Sequence, residues 1–226
     1  MWLGSGCAPL ASATSERETA SSPRSRTGRA YAAGPNRPYH RPVDTYDAIM
    51  TRRSVPRCGG EIERAVVEKL IAAAVRAPNH HLTQPWRFVV LGGDTRAELG
   101  RAWATALERE CKDASRIPDK VLRAPVIVCV LERPHLDNPK VVEIEEHHAV
   151  GAAIQNMLLA AHALGLGAMH RSGAATEMPE VREYLGAAPD ELIAGFVYVG
   201  HPPEGDDRRP LSRRKDPVEV TEWRGW

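Results

Sequence analysis

Two stretches of the chain carry apolar residues at helical spacing. From Glu61 to Ala77 the apolar side chains recur every three or four residues, and Pro78 ends the predicted helix because the residue before a proline is disfavoured in the α conformation. Residues 143–164 form the longest predicted helix, which Gly165 terminates. Shorter helices are predicted at residues 43–54, 95–110 and 179–186.

Runs of β-branched and other apolar residues predict the strands. PVIVCVL, residues 125–131, is continuously apolar, as expected of a strand buried on both faces. RFVVLGG (87–93) and LIAGFVYVGHPP (192–203) are strands that end in turn residues, and GAMHRSG (167–173) is a short strand that leads into a loop. Because the helices outweigh three or four short strands, we predict an α+β domain with a central sheet.

Two of the predicted helices have a distinctive face. In the first helix, Tyr46, Ile49 and Met50 lie on one side. Much of the surface of the long helix is small, and small side chains let another helix approach closely. The long helix is therefore either a central core helix or a subunit interface, and the two roles are compatible. The small residues are Ala149, Gly151, Ala152, Ala153, Ala160, Ala161 and Ala163.

Residues 1–40 differ in composition from the rest of the chain. They are rich in Ser, Arg, Ala, Gly and Pro, with too few large apolar side chains to offset the entropy of ordering. We predict a disordered tail over residues 1–40 and one folded domain over residues 41–226. The Arg- and Ser-rich, acid-poor tail also resembles a transit peptide, which is the weaker interpretation.

Overall composition argues against several classes of protein. The formal net charge is +1, so nothing global indicates a nucleic-acid partner. No apolar run reaches the roughly 18 residues of a membrane span. The four cysteines are scattered without a CxxC pair, which predicts neither a disulfide framework nor a zinc site and favours a reducing, cytoplasmic setting. They are Cys7, Cys58, Cys111 and Cys129.

Polar clusters follow several of the predicted elements. The segment Arg52–Ser54 suits a phosphate or another planar acceptor, because guanidinium groups donate in a fixed fork, although such a segment is also common on solvated surfaces. The loop RAPNHHLTQPW, residues 76–86, combines two prolines with amide and imidazole groups and suits a flat polar ligand. HRSGAATE (170–177) contains a glycine that lets backbone approach a ligand closely, and RRPLSRRK (208–215) is by default a solvated tail.

These clusters contain no obvious acid–base machinery. The chain has no GxGxxG, Walker, HExxH or GxSxG motif. His80 and His81 are poorly placed for a metal, because sequence neighbours rarely converge on one ion without a third ligand, and His147 and His148 would join them only through tertiary contacts. We therefore predict no metal site and a bound cofactor that performs the reaction.

Four motifs in order resemble the FMN-dependent nitroreductase family, and in particular its short bacterial NAD(P)H nitroreductases. They are RRSVPR, AAAVRAPNHHLTQPWRFVVL, GLGAMHRSGAATEMPEVREYLG and AGFVYVGHP. The resemblance covers residue 43 to the end. It implies an α+β homodimer with a central, mainly antiparallel sheet flanked by helices, a long central helix and exchanged terminal segments. One FMN would lie in each of two clefts between the subunits.

The resemblance also implies roles for individual residues. Arg52, Arg53 and Ser54 would hold the FMN phosphate and ribityl chain. Gln84 is a weaker member of the implied set. Residues 160–165 fall where some relatives contact the nicotinamide nucleotide, which a core helix explains equally well. The other implied FMN contacts are Arg76, His80, His170, Arg171, Ser172 and Gly173.

Two positions depart from the pattern of the relatives. Many relatives carry a basic residue where this chain has Pro56, so Arg57, Arg213 or Arg214 is expected to complete the phosphate site. Position 170 is commonly aromatic in the short relatives and is His170 here. A smaller, titratable ring at this place is expected to alter substrate preference or flavin potential.

The implied function is an FMN-dependent oxidoreductase. It would use NADH or NADPH to reduce nitroaromatic or quinone-like small molecules by a ping-pong hydride mechanism, with Arg76 or Arg171 as the positive charge beside the flavin ring. Because fold does not fix function, two alternatives stay open. One is a flavin enzyme with another reaction, namely dehalogenation, enoate reduction or flavin fragmentation. The other is a non-catalytic flavin-binding protein.

Overall fold

The computed structural model describes residues 44–226, so the prediction for residues 1–40 lies outside the described part of the chain. The strands are β1 (Trp86–Gly92), β2 (Val126–Glu132), β3 (Gly167–Arg171) and β4 (Leu192–Gly200). Short 3-10 turns lie at His80–Leu82, Ala174–Thr176, Asp206–Arg208 and Pro217–Val220. The α-helices are α1 (Thr45–Thr51), α2 (Arg64–Ala74), α3 (Thr95–Arg109), α4 (Ile117–Val121), α5 (Glu143–Ala163) and α6 (Pro179–Tyr184).

The four strands form one antiparallel sheet in the order β1-β2-β4-β3. The predicted α+β fold with a central antiparallel sheet is thereby confirmed. All seven residues of β2 are buried, as its continuous apolar sequence predicts. β3 is an edge strand, and Ser54 adds one parallel bridge to its outer side, opposite Ala168. The chain that follows α1 therefore runs along an edge of the sheet.

Helices α2 and α5 cover one face of the sheet. Met157 of α5 and Leu70 of α2 are fully buried and belong to the same apolar cluster as Val128 of β2. The prediction that the long helix lies in the core is therefore confirmed for one side of α5. Its opposite side, which includes Gly151 and Gln155, is exposed in the single chain.

The second face of the sheet is covered by α3, α4 and α6. Leu99, Ile117 and Val181 pack there with Ile127 and Cys129 of β2. The sequence pattern did not predict α4, which is only five residues long and contains Pro118. The helix α2 is shorter than predicted. Its apolar pattern continues past the helix end because Ala77 is buried in the core without being helical.

The exposed apolar side chains of the single chain include two groups. On α1 the buried residue is Ala48, whereas Tyr46, Ile49 and Met50 are exposed. The apolar side predicted for α1 therefore does not face the core of its own chain. Near the C-terminus a second group of apolar side chains is also exposed. This group comprises Leu211, Val218, Val220, Trp223 and Trp226.

The described residues also bear on the cysteines and on membrane insertion. Burial raises the pKa of the free thiols Cys58 and Cys129 to about 12. Within residues 44–226, none of the helices combines the length and the apolar character that crossing a bilayer requires.

Candidate active site

The segment Arg52–Ser54 lies at the outer edge of β3. The helix α1 begins at the N-cap Asp44, whose side chain accepts from the backbone N–H of Tyr46, and it ends at Thr51. After the helix, the N–H of Val55 donates to the carbonyl of Ala168 over 3.0 Å. The fold therefore brings the predicted phosphate-binding segment beside the strand that leads to His170–Gly173.

Positive charges converge at this edge. Burial and then the neighbouring Arg214 hold the pKa of Arg52 below its ordinary value, so the tail brings a second guanidinium close to Arg52. Like charges held together in a partly buried place are a feature of anion sites. Arg213 is exposed, and its carbonyl accepts from Arg214 over 3.2 Å. Of the two tail arginines named by the sequence, Arg214 is the one that acts on Arg52.

Arg53 has a different role in the single chain. Its guanidinium donates to the carbonyl of Asp206 over 3.1 Å and to the carbonyl of Arg209. Arg209 in turn pairs with the Asp206 carboxylate over 2.7 Å and donates to the carbonyl of Ser54 over 3.1 Å. Arg53 and Arg209 thus fasten the C-terminal segment to the chain after α1, which keeps Arg214 near Arg52.

The ring of His170 lies against a bulge in β4. The register between β2 and β4 shifts beside Gly195, where φ is +144°. Because a carbonyl can only accept, Nε2 of His170 donates to the carbonyl of Ala194 over 3.1 Å. A Cβ at Gly195 would stand 2.3 Å from that nitrogen. Because Gly195 has no side chain, it leaves the space that the His170 ring occupies.

The neighbouring Arg171 points to the opposite face of the sheet, because side chains alternate along a strand. Its guanidinium carbon lies 5.5 Å from the centre of the Tyr198 ring. Burial and then Arg123 lower the pKa of Arg171, and its Nε is buried without a hydrogen-bond partner among the described residues. Arg57 pairs with Asp119 of α4 on this same side. Arg57 and Arg171 thus lie apart from the Arg52–Arg214 pair.

Ser172 and Gly173 lie open at the end of β3. Gly173 has φ +117°, and its carbonyl accepts from both the N–H and the hydroxyl of Thr176, each over 2.9 Å. An added Cβ at Gly173 would meet nothing within 4 Å. In the single chain this glycine is therefore required by backbone conformation, and the space beside it is free for a ligand.

The loop between α2 and β1 is held by unusual backbone conformations. His81, Leu82 and Gln84 have φ of 52°, 53° and 51°, values that non-glycine residues rarely adopt and that cluster at functional sites. The side chain of Asn79 spans the loop, donating to the carbonyl of Ala77 over 3.2 Å and accepting from the N–H of Gln84 over 3.0 Å. The loop is therefore held by hydrogen bonds of Asn79 as well as by its two prolines.

Carboxylates of α5 anchor this loop. The hydroxyl of Thr83 donates over 2.7 Å to Glu146, which is fully buried and also accepts from the backbone of His135 over 3.2 Å. His80 lies with Nδ1 2.8 Å from Oε2 of Glu145. Arg76, at the end of α2, is exposed. The loop therefore presents Arg76 and the outer side of His80 to the surroundings.

The fold brings most of the predicted site residues into two groups, while Arg57 and Arg171 lie outside both. One group surrounds Arg52 near the C-terminal end of α5, and the other, with His80, lies at Glu145 near its N-terminal end. Seventeen residues of helix, roughly 25 Å at 1.5 Å per residue, separate Glu145 from His162, the α5 residue beside Arg52. Within residues 44–226, no cluster of three or more His, Cys, Asp or Glu side chains is placed to hold a metal ion.

Comparison with known proteins identifies the family. The model of the Nitroreductase family matches residues 49–201, more than half of the chain. This chain belongs to the nitroreductase family. Putative NAD(P)H nitroreductase YdjA of Escherichia coli (strain K12) is 33% identical over 164 residues, covering 71% of this nitroreductase and 89% of the relative. Putative NAD(P)H nitroreductase YfhC of Bacillus subtilis (strain 168) is 28% identical over 179 residues, covering 76% of this chain and 89% of the relative.

Solved structures agree with this assignment. A nitroreductase-like family protein from Bacillus cereus superposes on this nitroreductase with a TM-score of 0.71 at 25% identity, covering 81% of this chain and 97% of the other. A putative nitroreductase in complex with FMN from Desulfovibrio desulfuricans has a TM-score of 0.64 at 28% identity, covering 81% of this chain and 98% of the other. The family resemblance drawn from the sequence motifs is confirmed.

Several residues of this nitroreductase site were not found from its sequence. Glu146 had a detectable signal, because an acidic residue occupies a position of the buried apolar stripe of α5. Gly195 also had one, since an isolated glycine inside a strand indicates a bulge. No sequence signal marked the hydrogen bond between Arg209 and Ser54 or the one between His162 and Thr51, because each joins residues more than 100 positions apart.

Proposed function

We propose that this nitroreductase is an FMN-dependent oxidoreductase that uses NADH or NADPH to reduce electron-poor small molecules such as nitroaromatics and quinones by ping-pong transfer. Its relatives carry the name NAD(P)H nitroreductase, and a related structure is an FMN complex. When bound, FMN supplies the redox chemistry of the reaction. The side chains of this chain bind and orient the cofactor and exclude water around it.

The observation that carries the proposal is the convergence of Arg52 and Arg214 beside Ser54 at the edge of β3. Burial and the neighbouring Arg214 lower the pKa of Arg52, which is only partly exposed, so a dianionic phosphate at this place relieves the repulsion between the two guanidiniums. Arg53 and Arg209 hold the backbone on which both groups stand. The residues present therefore fit the phosphate of FMN.

The second group of residues supports a site built from two chains. His80 and Arg52 lie near opposite ends of α5 in one chain, farther apart than the length of an FMN molecule. A two-fold partner that aligns its α5 in the opposite direction brings its own loop to Arg52. The exposed Tyr46, Ile49 and Met50 of α1 supply apolar surface for such a partner. We therefore propose a homodimer with a flavin between the subunits.

The geometry also favours one of the two arginines considered for the flavin ring. Arg171 is directed over Tyr198, on the face of the sheet opposite His170. Arg76 is exposed at the end of α2, beside the loop that carries His80. Arg76 is therefore the better candidate for the positive charge beside the ring, where it would stabilise negative charge that develops during the reaction.

The test is to purify the protein, record its visible spectrum, and reconstitute it with FMN. Anaerobic titration with NADH and with NADPH should bleach the flavin absorbance, and steady oxidation of the nicotinamide should require a nitroaromatic or quinone. Bleaching without turnover of either acceptor would point to another flavin reaction. FMN binding without bleaching would indicate a non-catalytic flavin protein, and a protein that fails to take up FMN would contradict the proposal.

Arg52→Ala tests the phosphate assignment. Losing a charged hydrogen bond to a buried anion costs roughly 1.5–3 kcal/mol, so the dissociation constant for FMN should rise by about tenfold or more. Arg64→Ala is the matched control, because Arg64 is 92% exposed on α2 and pairs with Glu68. His80→Ala should weaken FMN binding more than His81→Ala. If Arg52→Ala weakened FMN binding no more than Arg64→Ala, or His80→Ala no more than His81→Ala, the site would be wrongly placed.

A further inference from the structure

The hydroxyl of Thr51 fixes which nitrogen of His162 carries the proton. Thr51 Oγ1 donates to the carbonyl of Asp47 over 2.6 Å and lies 2.8 Å from Nε2 of His162. A hydroxyl has one hydrogen, so towards His162 this oxygen can only accept. Nε2 of His162 therefore carries a hydrogen. In the neutral ring, Nδ1 is then the free acceptor and the only place where a further proton can bind.

His162 stands among positive groups. It lies on the last turn of α5, partly buried, against the end of α1. Burial, followed by Arg52 and Arg53, lowers the pKa of this imidazole below its ordinary value. Arg214 reaches the same place from the tail, where it acts on Arg52. Because burial, Arg52 and Arg53 all lower the pKa of His162, the ring is neutral at pH 7.

We propose that His162 is a further residue of the phosphate site, neutral when the site holds no anion and protonated at Nδ1 when the phosphate of a flavin nucleotide binds at Arg52 and Ser54. This inference rests on the proposed function. A dianion offsets the repulsion that Arg52 and Arg53 exert on the ring, so the anion and the proton favour each other. The Thr51 hydroxyl holds the ring in place for both states, because Nε2 donates in each of them.

Proton uptake is the direct measurement. The apoprotein should be titrated with FMN near pH 6.5 by calorimetry in buffers of different ionisation enthalpy, with wild type compared with His162→Gln. Binding should take up as much as about one more proton per site in wild type than in the variant. The phosphate of FMN itself titrates near pH 6 and contributes equally to both proteins, so the difference isolates His162. Riboflavin, which lacks the phosphate, should show no difference.

His148→Gln is the control, because His148 is exposed on the same helix, fourteen positions before His162. It should take up protons like wild type. FMN affinity of His162→Gln should fall by up to roughly tenfold at pH 6 and converge with wild type above pH 8. If the variant does not fold, the ¹⁵N shifts of His162 in wild type replace the comparison, and FMN, but not riboflavin, should protonate Nδ1.

Two results overturn the inference in different ways. FMN that binds tightly with the same proton uptake in wild type and His162→Gln would leave the proposed function standing and reduce the Thr51–His162 hydrogen bond to a tie between α1 and α5. Failure of the wild-type protein to bind FMN at all would remove both the proposed function and this inference.

Discussion

Replacing Gly195 by alanine would fill part of the space that the His170 ring occupies. An added Cβ would stand 2.3 Å from Nε2 of His170 and 2.6 Å from the carbonyl oxygen of Arg171. Both distances are far below van der Waals contact, and one of the two atoms is backbone that cannot rotate away. The φ of +144° is also a conformation that residues with a side chain rarely adopt. The substitution therefore introduces steric overlap and backbone strain together.

The size of the effect follows from these two terms. Overpacking a buried site costs about 1–3 kcal/mol, and a strained backbone conformation costs about 1–3 kcal/mol. The free energy of unfolding of Gly195→Ala should therefore fall by roughly 2–6 kcal/mol. Urea denaturation of the FMN-free protein, followed by circular dichroism at one fixed protein concentration, measures this loss. Because His170 must move, FMN affinity should also decrease.

A double-mutant cycle separates the two terms. In a His170→Ala background the ring is gone but the Arg171 carbonyl remains, so Gly195→Ala should destabilise the protein less, though still measurably. Gly92→Ala in β1 is the control, since a Cβ there would meet nothing within 4 Å. A Gly195→Ala protein as stable as Gly92→Ala, or one equally destabilised with and without the His170 ring, would refute the reasoning.

Two further predictions concern the exposed side of α5 and an ion pair. Gly151→Ala meets nothing within 4 Å in the single chain and should stabilise the helix by about 1 kcal/mol, but it should weaken a dimer packed on this side of α5. Sedimentation equilibrium that finds no weakening would remove α5 from the proposed interface. Arg87 donates to both carboxylate oxygens of buried Glu191 and, as the largest cause, lowers its pKa. The stabilisation is present above the ordinary carboxyl pKa near 4.3 and is lost as the pH falls through the lowered value, so Arg87→Gln should destabilise by roughly 2–3 kcal/mol at pH 7 and clearly less at pH 3. Equal losses in urea melts at both pH values would contradict this.

The pattern of apolar residues predicted the sheet and the long helix because burial determines both. The run at β2 is apolar throughout, and the strand is buried on both faces. For α1 the pattern identified the helix and its apolar side, but it could not tell whether the covering surface belongs to the same chain. Helix α4 was not predicted because five residues give too little periodicity to detect.

The site was predictable only where neighbouring residues act together. Arg52, Arg53 and Ser54 are adjacent in sequence, so their motif is visible, but the chain alone did not show that Arg53 binds backbone carbonyls while Arg52 faces Arg214. Such a division depends on where the C-terminal segment returns. The strained φ values at His81, Leu82 and Gln84 were equally invisible, because tertiary contacts impose them against local preference.

The position of α5 keeps the two groups of candidate FMN residues apart within one chain. Glu145 and Glu146 fasten the His80 loop near the start of α5, and Thr51 ties the Arg52 segment to its end. Each half is thus fixed to the same helix, which holds His80 and Arg52 apart within the chain. Tyr46 and Met50 stand within two helical turns of Arg52, and they are exposed. The surface that a partner would cover is therefore continuous with the phosphate site, and binding of FMN and of the second chain should reinforce each other.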